Sequence, residues 1–342
     1  MRHSLVWLCL FGLVSLGNCL PTQEELEEQR WQITEDESGH RHLVNGGPLF
    51  DSFNSPEVLF EPEKDIRFML YTRSTADSPQ RIANNDYDSV MSSQFNPSHP
   101  TRIVIHGWGG SQNSLINLNI RNELFNIGQF NFIFVDWGAG NDPFYPNSRR
   151  LVYPVGIATS NLIDYLVKVA GLDRGDVAVI GHSLGAHAAG NVGKGQFGRL
   201  PTIIGLDPAL PFFAGDVIDR IKKTDAEHVE IIHTNGGVAG FLDPIGDGDF
   251  YPNWGRIQPG CGPDIDGGCA HQRAVDYYVE SIASRIGFNA VQCSSFQDIR
   301  SGMCATTGAT ARMGGEPPNR GSSVRGVYHL TTASGRPFAA VD

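Results

Sequence analysis

The stretch VAVIGHSLGAHAAG, residues 177–190, places Gly-His-Ser-Leu-Gly directly after an apolar run that predicts a buried strand. A glycine on each side of Ser183 lets neighbouring backbone segments approach closely and tolerates positive φ. The alanine-rich residues that follow predict a helix. Strand, G-x-S-x-G and helix in this order predict a nucleophile elbow, a sharp turn that exposes the hydroxyl of Ser183. A tight glycine turn around an ordinary serine is the alternative.

Segments of strand and helix character alternate on both sides of this stretch. Apolar runs without a polar face at residues 102–107, 131–138 and 202–207 predict buried strands. Residues 115–126 and 155–171 have the apolar spacing of helices that cover a sheet. The alternation predicts an α/β fold with a mostly parallel central sheet flanked by helices.

The N-terminal region has two unlike parts. Residues 1–19 begin with Arg2 and His3 and continue into a short apolar run, which predicts a signal peptide cleaved near Cys19 and a secreted protein. Residues 20–60 are acidic and lack apolar periodicity, so we expect a solvated arm or pro-segment there. Residues 61–342 are predicted to form one domain.

Charge and cysteine content limit the possible partners. The formal net charge of −11 argues against nucleic acid or an anionic membrane as the main partner. After removal of the signal peptide, four cysteines remain in two close pairs, and secretion favours the disulfides Cys261–Cys269 and Cys293–Cys304. Neither pair has CxxC spacing and no histidine cluster accompanies them, so we expect no metal and no cofactor.

A serine nucleophile needs an imidazole base, and the imidazole needs a carboxylate that holds its tautomer. In α/β-hydrolases the chain order is Ser, acid, His. Asp207 ends the strand after the elbow and precedes Pro208, which makes it the preferred acid. The competing carboxylates lie in segments that predict loops: Asp225, Asp243, Asp247 and Asp249.

His271 is the preferred base, because it begins a late helix directly after the Cys261–Cys269 loop. His182 and His187 lie within the elbow and its helix, where we expect them to point away from Ser183. Structural roles are expected for the remaining alternatives, His228, His233 and His329.

An oxyanion hole requires two backbone N–H groups. The first is expected at Leu184, directly after the nucleophile, and the second at Trp108 in RIVIHGWGG, residues 102–110. The alternative is that His106 and Gly107 merely turn the chain.

These residues resemble a known family. IHGW, FVDWG, GHSLGAH, GLDPA, IHTN and CAHQRAVDYY, in this order, resemble the pancreatic lipase family of the α/β-hydrolase superfamily. The similarity runs from about residue 60 to the last predicted strand. It implies an α/β-hydrolase fold, a triad of Ser183, Asp207 and His271, and oxyanion donors at Trp108 and Leu184.

Three departures from the family pattern affect function. The chain ends shortly after VYHLTTASG, so we expect no C-terminal β-sandwich and no colipase. Lys222 and Lys223 stand where calcium-binding relatives carry carboxylates, which argues against a calcium site. The lid loop between Cys261 and Cys269 is reduced to GPDIDGG, and such short lids resemble the invertebrate phospholipase A1 and neutral lipase branch.

The expected function is a secreted serine esterase of phospholipase A1 type that acts on lipid at a membrane or micelle surface. A triacylglycerol lipase is the first alternative. A non-catalytic lipid carrier of the yolk-protein type is the second, and the complete Ser183, Asp207 and His271 set argues against it.

Overall fold

The computed structural model describes residues 31–45, 59–215, 217–305 and 307–339. The described strands are β1 (Trp31–Glu35), β2 (Arg41–Asn45), β3 (Arg67–Tyr71), β4 (Gln80–Ile82), β5 (Thr101–Ile105), β6 (Asn131–Asp136), β7 (Val177–His182), β8 (Thr202–Leu206), β9 (His228–Ile232), β10 (Gly248–Pro252), β11 (Phe288–Gln292), β12 (Thr310–Met313) and β13 (Gly326–Leu330). The described α-helices are α1 (Pro62–Asp65), α2 (Tyr87–Met91), α3 (Leu115–Ile127), α4 (Tyr145–Arg150), α5 (Val152–Ala170), α6 (Leu184–Gly195), α7 (Gly268–Ala283) and α8 (Phe296–Ser301).

Eleven of these strands form one sheet in the order β12-β11-β13-β10-β9-β8-β7-β5-β6-β3-β4. From β6 to β13 in this order all neighbours are parallel. Antiparallel strands complete both edges, with β3 and β4 at one and β11 and β12 at the other. The predicted fold class, a mostly parallel sheet flanked by helices, is confirmed.

Helices cover both faces because the central strands are apolar on both. Ile103 and Ile105 of β5 pack in one core with residues of α5 and α6, such as Leu162 and Ala188. Val104, between them, packs in the opposite core, which also contains residues of α3 and α7. Strands buried on both faces lack polar alternation, which explains the apolar runs in the sequence. None of the described helices is long and apolar enough to span a membrane.

Part of the predicted solvated arm is folded. Residues 31–45 form the antiparallel hairpin of β1 and β2. Val44 is only 3% exposed and belongs to the core that contains Ile103. These residues therefore differ from the expected solvated arm in being paired and partly buried, because sequence polarity did not reveal their contacts with the domain. The predicted signal peptide at 1–19 lies outside the described residues.

A buried ion pair ties β5 to the C-terminal part of the chain. The Arg102 guanidinium donates to Glu316 from Nε at 2.9 Å and from a terminal nitrogen at 2.5 Å. Both side chains are almost fully buried, at 2% and 8% exposure. Removal of one member would leave an uncompensated buried charge.

We expect Arg102→Met to lower the free energy of unfolding by about 3–5 kcal/mol, since Glu316 would remain buried without its partner. Lys64→Met is the matched control: the exposed Lys64–Glu61 pair should contribute less than ~1 kcal/mol. Urea unfolding at pH 7 measures both. Equal losses in the two variants would contradict this prediction.

Candidate active site

Ser183 occupies a strained turn between β7 and α6. Its φ of 56° and ψ of −120° lie outside the usual regions for a residue with a Cβ. Its N–H donates to the Leu206 carbonyl at 3.0 Å, which anchors the turn on the neighbouring strand. A Cβ on Gly181 would collide with the Gly185 carbonyl, and one on Gly185 with the Ile105 carbonyl. The two glycines therefore allow the close approach that the turn requires.

Asp207 follows β8 as Ser183 follows β7. His182 and Leu206 are register partners, so the next residue of each strand projects at the same edge of the sheet. One oxygen of Asp207, Oδ1, accepts the N–H groups of Thr234 at 2.8 Å and Asn235 at 3.1 Å. These bonds fix the carboxylate and leave Oδ2 for a further partner.

That partner is His271, whose Nδ1 lies 2.5 Å from Asp207 Oδ2. His271 is in the first turn of α7, directly after the disulfide Cys261–Cys269. Asp264, inside the disulfide loop, accepts the N–H groups of Cys269 at 3.2 Å and Ala270 at 2.7 Å. The disulfide and the hydrogen bonds of Asp264 position the imidazole over the C-terminal ends of the parallel strands.

Ser183 and His271 line one cavity of about 300 Å³. No hydrogen bond joins the two side chains among the described residues, and such bonds often tighten only when substrate is bound. The structure thus brings the three predicted residues to one sheet edge.

The loop after β5 lies beside this cavity. Ile105 is the register partner of Gly181, so residues 106–110 continue next to the elbow. Trp108 lines the cavity, and its indole Nε1–H donates to the Asp142 carbonyl at 2.8 Å. Leu184 begins α6, where backbone N–H groups lack helical acceptors. Both positions expected to donate to an oxyanion are therefore next to Ser183.

Two expectations about neighbouring side chains are wrong. His182 does not point away from the site: it lines the cavity, and its ring centroid is 4.6 Å from that of His271. Asp249 is not in a loop but in β10, where it lies 2.8 Å from His233 Nε2. His187, in contrast, is buried behind the site against the Ala209 carbonyl.

Sequence reasoning missed Glu37 altogether. This residue at the tip of the hairpin lines the cavity and lies 2.8 Å from His182 Nδ1. An acidic run distant in sequence gave no signal for such a contact, because only the tertiary fold brings it to the sheet edge.

The other two cysteines among the described residues form the second disulfide, Cys293–Cys304. Cys261, Asp264 and Cys269 have ligand atoms within 4.8 Å of one another, as in a metal site. The two cysteines are bonded to each other, however, and Asp264 caps α7. This cluster therefore lacks free thiolates for a metal.

The ammonium group of Lys194 binds the segment in which Lys222 and Lys223 stand in place of the relatives' calcium ligands. Lys194 Nζ donates to the Arg220 carbonyl at 2.9 Å and to Asp225 Oδ2 at 2.7 Å. The same carboxylate oxygen accepts the Lys222 N–H at 2.9 Å. These oxygens already serve a side-chain cation, which would compete with a calcium ion.

Comparison with known proteins identifies the family. The model of the family described as Lipase matches residues 53–338. The chain belongs to the pancreatic lipase family. It is 33% identical over 305 residues to pancreatic triacylglycerol lipase of Mus musculus, with 80% of this chain and 65% of the relative covered. Pancreatic lipase-related protein 2 of Cavia porcellus is 32% identical over 292 residues, with 81% and 67% covered.

This lipase-family chain spans less than two thirds of the mouse relative's length, at 65%. Solved structures overlap only in part. Dienelactone hydrolase from Anabaena variabilis has a TM-score of 0.32 at 15% identity, covering 49% of this chain and 73% of that one. Est1E from Butyrivibrio proteoclasticus has a TM-score of 0.27 at 19% identity, covering 34% and 43%.

We expect Ser183→Ala to abolish labelling by a fluorophosphonate probe and to lower ester hydrolysis by at least about a thousandfold, because the nucleophile is lost. Mass spectrometry of the labelled peptide and initial rates measure the two effects. The exposed Ser322→Ala serves as control and should react as the wild type does. Full labelling of the Ser183 variant would assign the nucleophile to another serine.

We also expect a chelator to leave hydrolysis of a soluble, monomeric ester unchanged, since Lys194 supplies the cation that Asp225 and the Arg220 carbonyl bind. Initial rates with EDTA, and then with added calcium, measure this. A complete loss that calcium restores would overturn the assignment. A soluble ester is required, because calcium also removes fatty-acid products from emulsions.

Proposed function

We propose that this lipase-family chain hydrolyses acyl ester bonds of lipids, with Ser183 as nucleophile, His271 as base and Asp207 as the acid that orients it. The observation that carries the proposal is the 2.5 Å contact between His271 Nδ1 and Asp207 Oδ2 at the cavity that Ser183 lines. This arrangement has the roles and the chain order of a serine hydrolase triad.

In the proposed reaction, Ser183 Oγ attacks the ester carbonyl carbon while His271 Nε2 takes the hydroxyl proton. The carbonyl oxygen becomes negative and accepts the N–H groups of Leu184 and Trp108. The C–O bond to the alcohol then breaks, and His271 gives its proton to the leaving oxygen. Water, deprotonated by His271, hydrolyses the acyl-enzyme in the same way and releases the fatty acid.

The surroundings of His271 favour its neutral, basic form. Burial lowers the pKa of His271 and nearby His182 lowers it further, against the opposing effects of Asp207 and Glu37. A general base must be unprotonated at the start of the reaction. A lowered pKa keeps the imidazole free at neutral pH, and the Asp207 carboxylate stabilises the imidazolium that forms.

A lipid surface is the proposed location of the substrate. Three large apolar side chains that line the cavity, or are near a lining residue in the sequence, are exposed: Leu115 at 56%, Val238 at 39% and Ile265 at 87%. Leu115 itself lines the cavity, Val238 adjoins the lining residue Ala239, and Ile265 lies in the loop before lining residue Gly268. Exposed apolar groups of this kind fit contact with a membrane or micelle.

The short Cys261–Cys269 loop supports a phospholipase A1-type substrate. Its cysteine Cα atoms are 5.6 Å apart, and residues 262–267 contain no helix. Asp266 of this loop lies 2.5 Å from Arg41 Nε, which links the loop to the N-terminal hairpin. Without a helical flap the wall of the cavity is low at this loop, which leaves room for a polar head group beside the ester.

Two alternatives remain beside this proposal, and one of them has specific grounds. Several relatives are named pancreatic triacylglycerol lipase, which favours triacylglycerol as substrate. A non-catalytic carrier would explain the fold but gives no reason for the strained Ser183 or for the contact between Asp207 and His271. The loop favours phospholipid, and rates distinguish the three possibilities.

We expect faster hydrolysis of the sn-1 ester of phosphatidylcholine than of triolein, and little rise in rate when a short-chain ester exceeds its solubility. A flap helix needs about twelve residues to be even marginally stable, and this loop is shorter. Initial rates on matched dispersions, with positional analysis of products, measure the preference. Triolein preference with a steep rise at the solubility limit would favour the triacylglycerol lipase, and no activity on any ester would favour the carrier.

A further inference from the structure

The N-terminal hairpin lies across the catalytic edge of the sheet. On one side, the Ser38 hydroxyl donates to the Gly109 carbonyl at 2.7 Å. The His42 ring also packs on Trp108, with centroids 4.3 Å apart. On the other side, Arg41 contacts Asp266 before the helix of His271. The hairpin therefore joins the loop of the second oxyanion donor to the segment that precedes the base.

Glu37 is at the centre of these contacts. Its backbone N–H donates to the Trp108 carbonyl at 2.9 Å. Its carboxylate oxygen Oε1 accepts the Gly107 N–H at 2.6 Å and lies 2.8 Å from His182 Nδ1. A Cβ on Gly107 would lie 2.9 Å from both Glu37 Oε1 and Ser183 Cβ, so the carboxylate is packed against the elbow.

The contact continues from Glu37 to the base helix. The other ring nitrogen of His182, Nε2, lies 3.3 Å from the carbonyl oxygen of His271. A carboxylate and a carbonyl can only accept, so both ring nitrogens of His182 face acceptors. The Glu37 carboxylate thus contacts Gly107 and His182 directly, and it reaches the backbone of His271 through His182.

The Glu37 carboxylate is buried and charged. Burial raises its pKa, but the hydrogen bond and charge of His182, the charge of His106 and the Gly107 N–H together hold the pKa below its usual value. Oxygen Oε2 is buried without a hydrogen-bond partner among the described residues.

We propose that Glu37 is a positioning residue, which holds the oxyanion loop, the elbow and the base helix in their catalytic arrangement. It acts through Gly107 and His182 and touches no reacting atom. The proposal rests on the ester hydrolase function proposed above. In this proposal the hairpin is part of the active enzyme and does not block the cavity.

The test is Glu37→Gln, which keeps the size of the side chain and removes its charge. We expect kcat on a soluble ester to fall about 10- to 100-fold, the factor for one hydrogen bond to a charged group. KM should change little, because substrate binding is not altered. Rates are normalised to the sites that a fluorophosphonate titrates, so a smaller folded fraction does not imitate the effect. Glu63→Gln, which removes an exposed acid on α1, is the matched control and should behave as wild type.

A double-mutant cycle with His182→Gln tests the route of action. If Glu37 acts through His182, the double variant should lose little more than the more damaged single variant. Additive losses would overturn this route. Wild-type kcat per titrated site in Glu37→Gln would overturn the positioning role, and a higher rate would identify the hairpin as an obstruction. If the wild type hydrolyses no ester, the proposed function fails instead.

Discussion

The site depends on the strained, positive-φ backbone of Ser183 at the end of β7. A φ of 56° in a residue with a Cβ costs on the order of 1–3 kcal/mol and persists only where the surroundings enforce it. Here the Leu206 carbonyl fixes the Ser183 N–H, and glycines at 181 and 185 remove the atoms that would prevent the turn. This turn conformation places the Ser183 hydroxyl at the end of the strand, beside the cavity that the residue lines.

The register of the sheet brings Asp207 and the loop after β5 next to this turn. Asp207 also has a positive φ, of 41°, and directly follows the residue paired with His182. The loop after β5 begins beside Gly181 because Ile105 is its register partner. Three neighbouring parallel strands thus bring Ser183, Asp207 and the loop after β5 together at their C-terminal ends. Only His271 comes from outside the strand ends, on a helix that a disulfide loop precedes.

The central part of the fold was predictable because its signals are local. Apolar runs, elbow glycines and the strand end at Asp207 each act through neighbours in sequence. The edge strand β12 was harder to predict: it has only four residues, two of them partly exposed, and gains its order from pairing with β11. The orientation of His182 was mispredicted for a similar reason, since Glu37 is 145 residues away in sequence.

The acidic segment before residue 61 has two interpretations. Either it is a pro-segment that is removed, or it stays attached to the domain, and the two differ in the contacts that they require. A pro-segment that is removed leaves behind the groups of the domain that it had contacted. The hairpin buries Val44 in the core, and its Glu37 carboxylate bonds groups that would then be left without an acceptor, such as the Gly107 N–H. Loss of a charged partner from a buried site leaves the remaining groups unsatisfied, which is more costly than the bond itself is worth. These contacts therefore favour a hairpin that stays with the domain.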